Sequence, residues 1–331
     1  MRKVFRMAVL FMLFFGNYLC SNAQLKRDGG VVKDHPFITN HKIETPTIFY
    51  PGVVSTSIDK FNTSFSPDGL TIYYTATSQK LGVTGIAYQQ FERGAFSSPE
   101  FVPFVSSDIP VADVQISRDG NTMLYTTFKN YEGKAEGFHF DIWIAEKEGA
   151  MWSKTYPLKA LINSAGNEFY PVMTDDETIY FNSDISGNSD VYFSRKVNGA
   201  YQDPVRLPDN INSKEREADA YIAPDQSYII FVRVDAGDGF GNSDLYISFN
   251  KGNNQWTDPK NLGSNVNSSQ IDGSPCVSPD GRYLFFTSGR QEEGVKARAM
   301  TSYEDFISIL SSHKNGNLNT YYMSFNPDDY R

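Results

Sequence analysis

One tight-turn motif recurs five times along this 331-residue chain, and no other feature constrains the fold as strongly. Its complete form is Ser-Pro-Asp-Gly, in which proline presets φ, the Asp side chain can hydrogen-bond nearby backbone, and glycine accepts a positive φ. The third and fourth copies are degraded, yet both keep the Asp. The copies begin at Ser66, Ser117, Thr174, Ala223 and Ser278. Successive copies therefore lie 51, 57, 49 and 55 residues apart.

Apolar segments recur in phase with the turns. A short run of consecutive hydrophobic residues follows each turn, which is typical of a strand covered on both faces. These runs lie at residues 72–74, 123–125, 179–181, 229–231 and 284–286. Each repeat also has an inner strand before the turn, a third strand, and a Pro-led outer strand that suits a sheet edge. Four strands per repeat of about 50 residues predict a β-propeller.

The two ends of the chain complete one blade. The fifth repeat has an insertion at about residues 289–318, with a short helix predicted at 301–312, and then a third strand at 321–325. No outer strand follows it, whereas a spare outer segment precedes the first repeat at residues 46–55. Pairing the two would leave fewer exposed edges. We therefore predict an all-β, five-bladed β-propeller of four-stranded blades over residues 46–331, closed by the N-terminal strand. The alternative, a six-bladed ring, would need a repeat that we do not find.

The first 23 residues have the pattern of a secretory signal peptide. Three basic residues precede an apolar run at residues 7–15, and Ser21-Asn22-Ala23 fits a small-x-small cleavage site. We expect cleavage after Ala23 and export to the periplasm, the cell surface or the medium, followed by an irregular leader at residues 24–45. Cys20 leaves lipidation as an alternative, although the residues before it lack the small side chains of a lipobox.

The charge of the chain limits its partners. The net charge is −9, and it becomes −12 once the signal peptide, with three basic residues and no acidic one, is removed. Such acidity argues against nucleic acid and anionic membrane surfaces, and it is compatible with a cation or a basic protein. Only Cys276 would remain after cleavage, so we expect no intramolecular disulfide. We expect a monomer with no membrane span in the mature chain.

Several motifs resemble those of a known family. The Ser-Pro-Asp-Gly turns, the Gly-Asn-Ser-Asp segments at residues 187–192 and 241–246, and Trp-Thr-Asp-Pro-Lys-Asn-Leu-Gly at 256–263 look like the TolB-type, WD40-like propeller repeat. The resemblance covers about residues 46–325 and implies a propeller in an exported bacterial protein. The leader ending Asn-Ala-Gln resembles those of Bacteroidetes secreted proteins. Members of the family include periplasmic protein scaffolds, glycan-handling proteins and the regulatory propellers of peptidases.

Carboxylates recur at two positions of the inner strands. Counted back from the second residue of each turn, Glu168, Glu217 and Asp272 lie seven residues away, and Asp113 and Asp219 lie five away. A ring of carboxylates in one narrow channel needs a cation, raised pKa values or hydrogen-bonding neighbours. These acids are therefore candidate ligand-binding residues, and Asp113, Glu168 and Asp272 are the candidate catalytic acids and bases if the chain is an enzyme. The alternative is structural, because polar residues at strand starts can pair with backbone of the neighbouring blade.

Histidine is scarce, with four in the whole chain, and none pairs at metal-ligand spacing. We therefore expect no metal centre and no cofactor. His139 lies in a long loop of the second repeat and is a further candidate ligand-binding residue, with a solvated loop histidine as the alternative. Asp235, Asp238 and Asn242 could hold a structural calcium ion, but their spacing matches no EF-hand loop.

The sequence has no Gly-x-Ser-x-Gly elbow and no phosphate-binding glycine loop. A repeat pattern without a catalytic constellation favours a non-catalytic binding or scaffold propeller that contacts a protein or an oligosaccharide through one rim of its channel. The alternative is a glycan-active hydrolase or lyase that uses the inner-strand carboxylates.

Overall fold

The computed structural model describes residues 35–78, 80–105, 109–128, 139–158, 161–291 and 302–331. The predicted signal peptide and the first part of the leader lie outside the described residues. No helix in the described part of the chain is long and apolar enough to cross a membrane.

The strands are numbered in chain order and fall into five groups. Outside the first complete repeat lies β1 (Thr47–Ile48). Blade 1 has β2 (Asp59–Phe65), β3 (Thr71–Ser78), β4 (Val83–Glu92), β5 (Ala95–Phe96) and β6 (Glu100–Phe101). Blade 2 has β7 (Val111–Ile116), β8 (Thr122–Thr127), β9 (Asp141–Glu148) and β10 (Met151–Pro157). Blade 3 has β11 (Glu168–Met173), β12 (Ile179–Ser183), β13 (Asp190–Ser194), β14 (Lys196–Val197), β15 (Ala200–Tyr201) and β16 (Val205–Arg206).

The last two blades complete the ring. Blade 4 has β17 (Arg216–Ile222), β18 (Tyr228–Val234), β19 (Ser243–Gly252), β20 (Gln255–Trp256) and β21 (Lys260–Asn261). Blade 5 has β22 (Asp272–Val277), β23 (Tyr283–Ser288) and β24 (Asn319–Ser324), with α1 (Tyr303–Leu310) between the last two. A short 3-10 helix, Pro327–Tyr330, follows β24.

Each blade is an antiparallel sheet whose strands follow chain order from the inner strand outward, except in blade 5. There the order is β22, β23, β24 and then β1. Thr47 pairs with Tyr322 and Ile48 pairs with Tyr321, so the N-terminal strand supplies the outer strand that the last repeat lacks. This arrangement confirms the predicted five-bladed propeller and its closure by both ends of the domain.

Antiparallel pairing gives the ring two faces. The Ser-Pro-Asp-Gly turns and the turns between third and outer strands lie on one face, which we call the turn face. The loops between second and third strands, and those between successive blades, lie on the opposite face, which we call the loop face. Helix α1 belongs to the loop face because it lies between the second and third strands of blade 5.

The Asp of each turn motif holds the turn together. In the first copy, Asp68 Oδ1 accepts hydrogen bonds from Ser66 Oγ at 2.6 Å and from the backbone N–H of Leu70 at 3.0 Å. In the degraded third copy, Asp176 accepts equivalent bonds from Thr174 Oγ1 and the backbone N–H of Thr178, at 2.6 and 3.1 Å. The side-chain contact replaces the proline and glycine that this copy has lost.

Every inner strand carries a β-bulge at the same place. The pairing register between first and second strands shifts there in all five blades. The bulged residue has a left-handed backbone, with φ between 46° and 53°. These residues are Asn62, Asp113, Tyr170, Asp219 and Ser274. A bulge interrupts the alternation of side chains along a strand, and here it re-aims one side chain per blade.

An aromatic cluster packs the seam where the ring closes. Phe49, just after β1, is fully buried, and its ring centroid lies 5.1 Å from those of Phe285 and Tyr322 in blade 5. Phe65, at the end of the inner strand of blade 1, lies 4.7 Å from Phe285. Edge-on aromatic pairs of this kind add stability beyond the area that they bury. The closing strand is thereby packed into the core of two blades.

Candidate functional site

The three acids that precede their turns by seven residues are buried at the starts of β11, β17 and β22. Glu168, Glu217 and Asp272 have no exposed surface. Each accepts hydrogen bonds from both the backbone N–H and the hydroxyl of a serine four residues earlier. These serines are Ser164, Ser213 and Ser268. Each carboxylate thereby holds the loop that enters its blade, an arrangement that we call the loop brace.

An arginine completes the loop brace of blade 4. Arg233 Nε lies 2.9 Å from Glu217 Oε1, and the guanidinium stacks on the rings of Phe231 and Tyr246, 5.5 and 5.1 Å from their centroids. Burial raises the pKa of Glu217, while Ser213 and Arg233 act in the opposite direction. Internal donors therefore engage this carboxylate, as is required of a buried charge.

In blades 3 and 5, a serine on the second strand occupies the position that Arg233 has in blade 4. Ser183 Oγ donates to Glu168 at 2.9 Å, and Ser288 Oγ donates to Asp272 at 2.6 Å. Arg290 adds a further bond to Asp272 at 2.8 Å. Both acids lie among donors of their own blade, which is the structural arrangement that the sequence left open as the alternative to ligand binding.

Asp113 and Asp219 occupy the bulge position and face the central channel. Asp113 Oδ2 accepts a hydrogen bond from the backbone N–H of Tyr170, the bulged residue of the next blade, at 3.3 Å. Asp219 Oδ2 accepts one from the backbone N–H of Ser274 at 3.1 Å and one from its hydroxyl at 2.8 Å. Both aspartates keep some accessible surface, unlike the brace acids. The five predicted acids therefore divide into three in loop braces and two in the channel.

The channel favours the protonated form of its acids. Burial raises the pKa of Asp113 to about 7, and the negative charge of Asp219 contributes. Burial also raises the pKa of Asp219, whereas Ser274 and Arg216 act in the opposite direction. Two carboxylates in one low-dielectric channel cannot both ionise without a large free-energy cost. Near neutral pH, both protonation states of Asp113 are therefore accessible, and the carboxyl group can either donate or accept a hydrogen bond.

Tyr170 crosses the channel. It occupies the bulge position of blade 3, and its hydroxyl donates to the carbonyl of Pro275 in blade 5 at 2.9 Å. The side chain is buried, and burial together with the nearby carboxylates raises its pKa well above the ordinary value. Sequence reasoning overlooked Tyr170. Its place in the repeat, equivalent to Asp113 and Asp219, was the signal that could have identified it.

A small cavity lies on the turn-face side of Tyr170. Its volume is about 80 Å³, and Tyr221 and Cys276 contribute to its walls. At the turn face, Arg118 reaches the carbonyl of Pro279 at 3.3 Å and the carboxylate of Asp175 at 3.6 Å. Small-molecule sites commonly have volumes of about 300–1,000 Å³, so this cavity suits water rather than a sugar residue.

The remaining candidates lie in loops of the loop face. His139 is half-buried just before β9, at the end of a loop whose residues 129–138 lie outside the described part of the chain. Asp238 accepts a hydrogen bond from the Tyr246 hydroxyl at 2.5 Å, and the Asp235 N–H donates to the carbonyl of Asn242 at 3.0 Å. Among the residues that the structure describes, no three His, Cys, Asp or Glu side chains are grouped as a metal site requires.

Comparisons with known proteins identify the fold of the chain. No protein-family model matches the chain, and no curated protein matches it. A solved glycoside hydrolase superposes with a TM-score of 0.51 at 10% identity, covering 87% of this chain and 92% of its own. The chain is a β-propeller. A thermostable family-43 glycoside hydrolase matches this propeller with a TM-score of 0.47 at 15% identity, covering 73% and 86% of the two chains. A TolB protein from Agrobacterium tumefaciens matches with a TM-score of 0.39 at 16% identity, covering 81% and 90%.

At identities this low, the likenesses show the fold alone. Within the propeller, only Asp113 and Asp219 of the predicted acids meet in the channel. Glu168, Glu217 and Asp272 lie apart from them in their loop braces. A binding or catalytic role for these residues stays a prediction.

Proposed function

We propose that this chain is an exported, non-catalytic binding or scaffold propeller, periplasmic or at the cell surface, that engages a protein or glycan ligand through its loop face. The observation that carries the proposal is the distribution of exposed apolar side chains. Among the described residues sixteen large apolar side chains are exposed, and twelve of them belong to the loop face. The twelve are Val53, Ile58, Leu81, Val83, Leu161, Ile185, Phe240, Ile271, Tyr303, Phe306, Ile307 and Leu310.

The turn face offers far less apolar surface. In the described residues its exposed large apolar side chains are Met151 and Val197, while Phe101 and Val205 lie on outer strands. Apolar groups that gather on one face of a soluble protein mark interaction sites, and aromatic residues are enriched at protein interfaces. The aromatic side chains Phe240 and Tyr303 therefore favour a protein partner on the loop face.

The positions of the acids favour binding over catalysis. Two of the three candidate catalytic acids, Glu168 and Asp272, have no exposed surface and are engaged by donors of their own blade. A general acid or base must come within hydrogen-bond reach of the substrate atom that it serves. Of the three candidates, Asp113 alone lies in the channel, so the pair of carboxylates that a glycosidase needs would have to include Asp219.

Paired surface variants test the choice of face. The double variant Ile185→Ser/Phe240→Ser removes apolar side chains from the loop face, and Met151→Ser/Val197→Ser is the matched control on the turn face. Each immobilised protein would be presented to a cell-envelope extract. We expect a partner captured by the wild type to be retained by the turn-face variant and lost by the loop-face variant. Equal capture by both variants would contradict the proposal.

Thermal melting separates the ligand classes. A ligand that binds only the folded state stabilises it by about 2.7 kcal/mol at a hundredfold excess over Kd. A rise in Tm with one member of an oligosaccharide panel would support a glycan ligand. A fall in Tm when EDTA is added, with no change for any oligosaccharide, would indicate a structural cation such as calcium. Polysaccharide turnover that Asp113→Asn abolishes would support the alternative, a glycan-active hydrolase or lyase. The raised pKa of Asp113 suits a general acid.

A further inference from the structure

Lys60 occupies the position in blade 1 that the loop-brace acids occupy in blades 3, 4 and 5, but it is basic. It lies seven residues before the second position of its turn, where blades 3, 4 and 5 have the brace acids and blade 2 has Val111. Thr56 lies four residues before Lys60, as a serine does before each brace acid, and its hydroxyl accepts a hydrogen bond from Lys60 Nζ. Blade 1 therefore keeps the geometry of the loop brace but carries the opposite charge.

The ammonium group of Lys60 forms no ion pair with the described residues, and it is nearly inaccessible to solvent. Lys60 is 3% exposed, and besides Thr56 its Nζ contacts the ring of Tyr74, 5.6 Å from the centroid. The neighbouring Asp59 directs Oδ1 to the backbone N–H of Leu318 at 2.8 Å. An ammonium has three donors, and a buried charge is destabilising unless its donors are paired. Burial lowers the pKa of Lys60 to about 8, although the negative charge of Asp59 acts in the opposite direction.

A pocket lies against this ammonium group. Its volume is about 490 Å³, and it lies between the loop that enters blade 1 and the outer strand β6. Val53, Ile58 and Phe101 supply apolar walls, and Lys60 is the only basic residue that lines it in the described chain. The volume falls in the range of small-molecule sites, about 300–1,000 Å³. None of the channel acids lines this pocket, so it is separate from the channel.

We propose that this side pocket binds a small monoanion with an apolar body, such as a medium-chain carboxylate, whose charged group pairs with Lys60. The anion would supply the acceptors that the ammonium lacks, just as serine and arginine supply donors to the brace acids. The inference does not rest on the proposed function of the loop face, because the buried Lys60 and its pocket carry it, although Val53 and Ile58 belong to both. A binding propeller and a glycan-active enzyme could each have this pocket.

The pocket walls restrict the charge and shape of the ligand. Ile58 and Phe101 are 52% and 60% exposed, and an alkyl or aromatic body seated against them would remove apolar surface from water. Glu100 lies at the pocket rim, and its carboxylate accepts a hydrogen bond from the Tyr88 hydroxyl at 2.7 Å. A second negative charge on the ligand would be repelled by Glu100. These walls therefore favour a monoanion over a phosphate or a dicarboxylate.

Hexanoate is a suitable probe, and hexan-1-ol is its neutral match. In protein labelled with ¹³C at the lysine Cε positions, the Lys60 resonance is the one that disappears in Lys60→Met. We expect millimolar hexanoate to shift this resonance saturably, and hexan-1-ol to bind about tenfold more weakly or not at all. Calorimetry should show that Lys60→Met loses hexanoate affinity by about tenfold or more.

Lys154 provides the matched control. Its Nζ lies 5.6 Å from the centroid of the Tyr156 ring, as Lys60 does from Tyr74, but its side chain is 60% exposed and pairs with Glu146 at 3.1 Å. Lys154→Met should leave hexanoate binding unchanged. Ile58→Asp puts a negative charge at the pocket mouth and should weaken binding by about tenfold, which keeps the proposal testable if Lys60→Met fails to fold. An unshifted Lys60 resonance, equal affinity for hexan-1-ol, or unchanged binding in Ile58→Asp would overturn the proposal.

Discussion

The hydroxyl of Tyr170 lies 2.9 Å from the carbonyl oxygen of Pro275, which joins the inner strands of blades 3 and 5. Blade 4 separates these two blades in the ring, so the hydrogen bond spans the channel. The equivalent bulge positions in the other blades hold shorter side chains. The five blades therefore share one backbone plan around a centre that is not fivefold symmetric.

Tyr170→Phe should destabilise the ring by about 1–3 kcal/mol, because it leaves a buried carbonyl without its donor. The measurement is urea unfolding of both proteins in the same buffer. Tyr303→Phe removes the same hydroxyl from a residue that is 74% exposed, and its effect should stay within about 0.5 kcal/mol. Equal effects of the two substitutions would show that the bond across the channel contributes nothing to stability.

Asp113→Asn should change how stability depends on pH. The pKa of Asp113 is raised in the folded protein to about 7, so its favourable contribution is complete below the unfolded-state pKa and is lost as the pH rises through about 7. Asparagine tolerates the left-handed backbone and already occupies this position in blade 1 as Asn62. We expect the free energy of unfolding of the variant to exceed that of the wild type by about 2–4 kcal/mol at pH 8 and by little at pH 4. A difference that does not change with pH would contradict the raised pKa.

Arg233→Met should break the loop brace of blade 4. It leaves the fully buried Glu217 without its cation, which typically costs about 3–5 kcal/mol. The double variant Glu217→Gln/Arg233→Met should regain part of this loss, because no buried charge remains. Lys214→Met is the control: Lys214 lies 3.8 Å from Glu215 with its side chain 89% exposed, and its removal should cost less than about 1 kcal/mol. The measurement is denaturant unfolding of the wild type and the three variants. Similar losses of unfolding free energy in Arg233→Met and Lys214→Met would show that the loop brace does not stabilise blade 4.

Phe49→Ala should weaken the closure of the ring. The residue is fully buried against blade 5, and truncating such a phenylalanine typically costs about 3–5 kcal/mol. Phe240→Ala makes the same chemical change at a residue that is 48% exposed, and it should cost much less. Thermal unfolding monitored by near-UV circular dichroism would compare the two. A small loss for Phe49→Ala would mean that the closing strand is dispensable.

The blade count could be predicted because its determinants are local. Asp176 still marks a turn in a copy without proline or glycine, because its carboxylate makes the bonds that close the turn. The predicted helix at residues 301–312 is observed as Tyr303–Leu310, with Ser302 accepting a hydrogen bond from the backbone N–H of Asp305 at 3.1 Å. Turn chemistry and hydrophobic runs act over a few residues, so a sequence displays them directly.

The sequence by itself determined the repeat, the four strands of each blade and the strand that closes the ring. Only the tertiary structure decided which carboxylates face the channel. Asp113 and Glu168 are both inner-strand acids, and residues two apart on a regular strand share a face, so the pattern alone treats the two repeat positions alike. The bulge at Asp113 breaks that alternation, and the donors that engage Glu168 come from a loop and a second strand. The buried Lys60 was overlooked for the same reason, since its burial without an ion pair among the described residues becomes visible only once the blades are packed.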